Sequence, residues 1–269
     1  MFQATTEDRN MDTEKAREVI VGFIREKVRE ANAEGAVLGI SGGVDSALAA
    51  YLSAEALGKD KVLGIHLPEL NLTSAEDVLD ATEVAHRLDI DFRAIDISGM
   101  LTAYLENIPD GDKATPHAKG NLKARIRMSV LYYHANMLNR IVIGTGNKTE
   151  LLLGYFTKHG DGGVDILPLG DLYKTDVWEL AASMRVPEAI INKAPSAGLW
   201  SGQTDEKDLG ITYKEVDRFL SLLLEGETNE VARNTVGITG EQADSVMRRI
   251  KTNAHKLRTP HIADLGHLR

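Results

Sequence analysis

Ala36-Val37-Leu38-Gly39-Ile40-Ser41-Gly42-Gly43-Val44-Asp45-Ser46, continuing as Ala47-Leu48-Ala49-Ala50-Tyr51-Leu52, is the stretch that decides the fold of this chain. The apolar run Ala36 to Ile40 reads as a buried strand, and Ser46 to Leu57, closed by Gly58, reads as a helix. Gly42 and Gly43 between them let the backbone approach an anion with no Cβ in the way. Ser41 and Ser46 offer hydroxyls, and the N–H groups opening the helix point at the same spot. This is the pattern of a phosphate cradle, although a bare Gly-Gly turn also serves as a tight connection. Asp45 would repel phosphate unless a cation lay between them. A hard cation such as Mg²⁺, held by one carboxylate plus phosphate oxygens, meets that need. The string is neither the Gly-x-x-x-x-Gly-Lys-Ser/Thr loop, since no lysine follows the glycines, nor Gly-x-Gly-x-x-Gly.

Outward from this loop, short β-like runs alternate with helical ones. Lys61 to Leu67, Phe92 to Ile97 and Arg140 to Thr145 read as further strands, with helices over Ala75 to Leu88 and Asn121 to Leu138. Helices between strands imply βαβ crossovers, hence an α/β fold with a parallel sheet covered on both faces. Ligands bind such sheets outside the carboxyl ends of the strands, which brings the Gly-Gly loop and Thr145 to one edge. An amphipathic helix precedes the first strand, capped by Asp12 or Thr13 and running up to Gly35, and helices follow from Tyr213 onward. Asn107 to Gly120 and Pro195 to Gly210, rich in glycine, proline and charge, read as long functional loops. The expected organisation is a flexible leader over 1–11 and one domain over 12–269 with a C-terminal helical annex.

Composition narrows the function classes. The 269 residues hold 31 Lys and Arg against 40 Asp and Glu, a formal charge of −9. No general basic surface exists for nucleic acid or an anionic membrane, so neither is an expected partner. There are no cysteines, which excludes disulfides, thiolate metal sites and a cysteine nucleophile within this sequence. No stretch has the ~20 apolar residues of a membrane span, and Met1 to Lys15 is too polar for a signal peptide. A cytoplasmic location is expected.

A second string carries chemistry: Gly144-Thr145-Gly146-Asn147-Lys148-Thr149-Glu150, followed by Gly154-Tyr155-Phe156-Thr157-Lys158-His159-Gly160-Asp161-Gly162-Gly163-Val164-Asp165. Glu150 at a helix start could simply complement the helix dipole, for ~0.3–1 kcal/mol. Together with Asp45 at the same sheet edge it could equally be a second Mg²⁺ ligand.

The Ser41 to Ser46 loop resembles that of the ATP pyrophosphatase superfamily, which cuts ATP between the α and β phosphates. The resemblance sharpens with Asn121 to Met128, Gly144 to Glu150, Gly154 to Asp165, Pro168 to Lys174, Lys193 to Ser196, Leu199 to Gly210 and Ala254 to Lys256. In this order the strings look like those of the ammonia-dependent NAD synthetase family. The resemblance implies a Rossmann-like (adenine nucleotide alpha hydrolase-like) fold and a ligase acting on nicotinic acid adenine dinucleotide (deamido-NAD). Its carboxylate is adenylated by ATP with loss of pyrophosphate, and ammonia then displaces AMP to give NAD. By this resemblance Gly39, Ile40, Ser41, Gly42, Gly43, Val44, Asp45 and Ser46 hold ATP phosphates, and Thr145, Lys174 and Ser196 also contact ATP. Asp45 and Glu150 hold Mg²⁺, and Asp45 and Lys174 act in catalysis. Arg125, Lys158, Asp165, His255 and Lys256 contact deamido-NAD. Each has a plainer reading, as a solvated helix charge, a surface lysine or a loop hydroxyl.

The resemblance also implies a homodimer. Glutamine-using relatives carry an amidase domain with a catalytic cysteine, which this sequence lacks, so free ammonia is the expected nitrogen donor. The stretch Pro68 to Thr73 departs from the family pattern and leaves the adenine-side contact unassigned. A related amidase of the GMP synthetase type is the rival enzyme. A non-catalytic nucleotide sensor is the rival of another class, but it has no need of both Asp45 and Glu150.

Overall fold

A computed structural model of the chain describes residues 11–198, 200 and 202–265. Strands β1 (Gly35–Gly39), β2 (Val62–His66), β3 (Asp91–Ala94) and β4 (Arg140–Ile143) form one parallel sheet in the order β3-β2-β1-β4. Ala36 stands opposite Val62 on one side and Ile141 on the other. The chain winds outward from β1 through β2 to β3, then returns to place β4 on the other flank of β1. The switch point therefore lies between β1 and β4, and that is where an open parallel sheet offers a crevice.

Period-2 alternation assigns the two faces of the sheet. Leu38, Ile40, Val62 and Ile143 pack with α1 (Thr13–Glu30), α2 (Val44–Leu57), α3 (Ala75–Leu88), α7 (Lys174–Ser183) and α8 (Glu188–Asn192). Val37, Leu63, Ile65 and Val142 face the other way, onto α4 (Ser98–Asn107) and α5 (Pro116–Met137). Leu48 and Leu52 of α2 are wholly buried, each stabilising the fold by ~1.5–3 kcal/mol. A second cluster unites Leu153 at the end of α6 (Lys148–Leu153) with α10 (Tyr213–Leu224), α11 (Asn229–Val236) and α12 (Gly240–Asn253). This is the expected helical annex.

Several boundaries differ from the sequence reading. The Ala75–Leu88 helix agrees at both ends, with Ser74 as its N-cap, whereas α5 starts at Pro116 rather than Asn121. Proline at the first helical position is tolerated, because its missing N–H has no partner in the first turn anyway, and Thr115 caps the helix. The expected loop over 107–120 therefore shrinks to a short connection, folded so tightly that a Cβ on Gly111 would meet the Leu105 carbonyl oxygen. Helix α4 is an addition that the sequence reading did not contain. The stretch Pro195–Gly210 holds a short helix, α9 (Asp205–Leu209), closed by Gly210 at φ +73°; its Leu199 and Ser201 lie outside the described residues. Of the leader expected over 1–11, Met11 packs partly buried against the core, and residues 1–10 lie outside the described residues.

Candidate active site

The loop after β1 is shaped by its own side chains. Ser46 Oγ donates to the Gly43 carbonyl at 2.9 Å, accepts from Ser41 N at 3.1 Å and lies 3.0 Å from Ser41 Oγ. Gly43 N donates to Ser41 Oγ at 3.2 Å. Gly42 adopts φ +92°, and a Cβ there would fall 2.6 Å from the Asp77 carbonyl oxygen of α3. Only glycine meets both conditions. Gly43 is the N-cap of α2 and makes no side-chain capping bond, so the N–H groups of the first turn remain open to an anion. Ser46 is buried. The hydroxyl expected to reach phosphate instead closes the loop, because its place in the first turn of α2 turns it back toward Gly43.

Across the switch point, the turn Gly144–Gly146 leads from β4 into α6, with Thr145 half-buried in it. Asn147 and Glu150 form a capping box: the Asn147 side chain accepts from Glu150 N at 3.0 Å, and Asn147 N donates to Glu150 Oε2 at 3.2 Å. Asn147 Nδ2 also donates to Asp45 Oδ1 at 2.9 Å, tying the two loops together. The other oxygen of Asp45 pairs with the ammonium of Lys174, the first residue of α7. That ammonium lies 5.3 Å over the Tyr213 ring, and Tyr213 donates its hydroxyl to Asp205 at 2.9 Å. Asp45, Glu150 and Lys174, named from sequence as one site, are thus brought together from three separate helix starts.

The electrostatics show an excess of acid. Burial, and next the nearby Asp45 charge, push the Glu150 carboxyl well above the usual range. Burial likewise raises Asp205, against the pull of Lys174. Burial works against the charge of Lys174, but Asp45 and Glu150 outweigh it and its pKa is raised. Among the described residues one cation, Lys174, faces the three carboxylates, so a further positive charge beside Asp45 and Glu150 would relieve the site. Among the described residues no group of three or more His, Asp or Glu side chains could hold a metal by itself. Two carboxylates whose remaining ligands come from phosphate fit Mg²⁺, which keeps few protein ligands.

Asp205 is a residue that the sequence reading missed. Its backbone N donates to Pro195 O at 2.9 Å, and its carboxylate accepts from Ala197 N at 3.1 Å, so it pins the segment carrying Ser196 beside the cluster. Ser196 is exposed, and its hydroxyl accepts from Gly198 N at 3.1 Å. Lys193 was likewise given no role; it pairs with Asp80 and, at 3.0 Å, with Asp77, next to the glycine loop.

A second constellation gathers at the far end of α6. Lys158 Nζ donates to the carbonyls of His255 (2.9 Å) and Arg258 (3.1 Å), while Lys256 Nζ donates to those of Gly154 (2.6 Å) and Phe156 (2.8 Å). Arg125 of α5 donates to the Lys158 carbonyl at 3.2 Å. Arg125, Lys158, His255 and Lys256 thus meet, and the two lysines clasp the 154–158 turn to the 255–258 segment. Asp165 stands apart: its carboxylate accepts from Val142 N at 2.7 Å and Tyr132 Oη at 3.0 Å, beside β4. In the unassigned stretch after β2, Glu69 forms a mostly buried ion pair with Lys123 of α5 at 2.6 Å.

Residues 16–260 match the family model described as NAD synthase. The chain belongs to that family. An NH(3)-dependent NAD(+) synthetase of Methanosarcina mazei is 55% identical over 95% of this chain and 100% of its own length. The solved NMN synthetase of Francisella tularensis is 36% identical with a TM-score of 0.84, covering 95% of this chain and all of that one. The NH3-dependent NAD synthetase of Campylobacter jejuni, solved with a nitrate ion, is 32% identical with a TM-score of 0.79 over the same shares. Membership of the NAD synthase family accounts for the parallel sheet and its order. Among the described residues no helix is long and apolar enough to cross a membrane.

Proposed function

We infer that this chain is a carbon–nitrogen ligase that makes NAD from deamido-NAD, ATP and ammonia, releasing AMP and pyrophosphate. The observation that carries the reading is the pair between buried Lys174 and partly buried Asp45, with Glu150 beside it, at the open N-terminus of α2 at the switch point. In the first step the nicotinate carboxylate attacks the α-phosphorus and the bond to the β-phosphate breaks. In the second, ammonia attacks the acyl carbon, AMP leaves with the bonding electrons, and the attacking nitrogen loses a proton. A carboxylate is a poor acyl donor, and the acyl-adenylate supplies a good leaving group.

The backbone of Gly39, Ile40, Ser41, Gly42, Gly43, Val44, Asp45 and Ser46 is assigned to the phosphates, with Thr145 and Ser196 at the nucleotide's flanks. Lys174 places its ammonium where charge develops on the phosphates, and such fixed charge in a site shielded from water is worth several kcal/mol. Mg²⁺ held by Asp45 and Glu150 would neutralise charge on the departing pyrophosphate. Arg125, Lys158, His255 and Lys256 are assigned to deamido-NAD, supported by their convergence at one end of α6. Asp165 is kept in that group on the family resemblance, although its carboxylate already braces β4. We further propose one domain over residues 12–269, a homodimer, and a cytoplasmic location where ATP is available.

The test is pyrophosphate release from ATP with Mg²⁺ and deamido-NAD, followed by NAD formation on adding ammonium. Because the Francisella neighbour is named for the mononucleotide, the assay also offers nicotinic acid mononucleotide. Faster turnover of the mononucleotide would overturn the choice of substrate, and turnover of xanthosine monophosphate alone would overturn the family's reaction.

A further inference from the structure

Asp217 is a carboxylate set in the apolar annex. It lies in the middle of α10 and is buried, between the wholly buried Val216 and Phe219. An acid in such surroundings is costly unless its oxygens are well bonded, and here both are. Thr149 Oγ1 donates to Asp217 Oδ1 at 2.5 Å, and Thr175 N donates to Oδ2 at 2.9 Å. The same Thr149 hydroxyl oxygen accepts Lys174 N at 3.1 Å. Tyr173 N donates to Asp176 Oδ2 at 2.8 Å at the start of α7. The next two N–H groups of α7, those of Lys174 and Thr175, are received by Thr149 of α6 and Asp217 of α10. A negative charge at a helix N-terminus is also favourable to the helix dipole.

The two residues that Asp217 ties down each adjoin an assigned site residue. Thr149 precedes Glu150, and Thr175 follows Lys174. We propose that Asp217 and Thr149 are positioning residues for adenylation, through which the helical annex sets the places of Lys174 and Glu150 relative to the glycine loop. Both side chains are buried, so they act through the backbone they hold. A network of three bonds fixes the backbone of α6 and α7 at the point where a lysine and an acid must meet phosphate. A displacement of about 1 Å between such groups and a reacting centre can cost ~100-fold in rate. This inference rests on the reading of Lys174 and Glu150 under Proposed function.

The experiment compares Thr149→Val, Thr149→Ser and Asp217→Asn with the unchanged chain and with Val216→Ala. Val216→Ala loosens the same helix without touching the network. Pyrophosphate release is measured with ATP varied under saturating deamido-NAD and with deamido-NAD varied under saturating ATP, and thermal unfolding is recorded for each variant. The expected result is a kcat fall of ~10-fold or more for Thr149→Val and Asp217→Asn. Thr149→Ser recovers to within about 2-fold, and the KM for deamido-NAD stays within about 2-fold throughout. Val216→Ala lowers the unfolding temperature and keeps kcat. If Thr149→Val loses thermal stability but keeps kcat and the KM for ATP, the positioning role is overturned and the network is only structural. Should Thr149→Val not fold, Asp217→Asn, which keeps one acceptor oxygen, decides by the same comparison. An unchanged chain that releases no pyrophosphate with deamido-NAD fails the functional reading itself, a result distinct from either variant outcome.

Discussion

Replacing Lys174 by methionine removes the one buried cation facing Asp45, Glu150 and Asp205, and it keeps most of the apolar stem. Lys174 is 2% exposed and paired with Asp45, and deleting one partner of a buried ion pair costs ~3–5 kcal/mol, because the other charge is left uncompensated. At ~2–4 °C per kcal/mol for a chain of this size, the unfolding midpoint at pH 8 should fall by ~6–20 °C. The loss must depend on pH. Burial raises the Asp205 carboxyl and pushes that of Glu150 well above its usual range, and Lys174 pulls both down, so without Lys174 they rise further. An acid whose pKa is raised on folding favours the folded state at low pH, and this contribution is lost as pH rises through the folded value. The deficit of Lys174→Met should therefore shrink between pH 8 and pH 5.5. Urea denaturation at the two pH values measures it, alongside pyrophosphate release, which should fall by ~10²–10³-fold from the loss of a fixed charge at the phosphates. An equal deficit at both pH values, or one below about 1 kcal/mol, would refute the view that Lys174 compensates an excess of buried acid.

Gly42→Ala should lower kcat/KM for ATP and cost ~2–4 kcal/mol, since the new Cβ meets the Asp77 backbone at 2.6 Å in a left-handed conformation; calorimetry and the pyrophosphate assay both report it. Burial raises Asp217 from an ordinary 3.8 to about 6, which corresponds to about 3 kcal/mol. That contribution is present below about pH 4 and lost as pH rises through 6, so Asp217→Asn should gain stability relative to the unchanged chain between pH 4 and pH 8, as urea titrations would show. Lys256→Ala should raise the KM for deamido-NAD by ~10-fold and leave that for ATP unchanged, because it opens the clasp on Gly154 and Phe156; each lost hydrogen bond is worth ~1 kcal/mol.

What the sequence made legible was local. The strand, the Gly-Gly loop and the helix after it are contiguous, so their residue types show the turn, and the alternation of strands and helices along the chain shows the parallel sheet that puts this turn at one edge. Asp45 and Glu150 could be paired because both follow strands whose carboxyl ends share that edge. Tyr213 and Asp217 could not be found this way, because they meet Lys174, Thr149 and Thr175 from more than 30 positions away and only packing of the annex brings them there; Asp205 is bonded locally, to Pro195, Ala197 and Tyr213, and only the fold sets that local unit beside Lys174. The Asn147–Glu150 capping box was not read from sequence, where Glu150 was weighed only against the helix dipole and a metal. Ser46 could not be oriented from sequence: its hydroxyl type suggested phosphate, and the first turn of α2 gives that hydroxyl a bond to the Gly43 carbonyl as well. Asp165 joined the substrate group through a motif, whereas the fold gives its carboxylate to Val142 and Tyr132.

The central claim is that the switch-point site adenylates the carboxylate of deamido-NAD. Its most direct test follows radiolabelled ATP with the chain, Mg²⁺ and deamido-NAD, first without and then with ammonium. The account predicts pyrophosphate release that requires deamido-NAD and the intact Asp45 and Lys174, with stoichiometric NAD and AMP once ammonium is added. Pyrophosphate release that ignores deamido-NAD, or persists undiminished in Asp45→Asn, would contradict it.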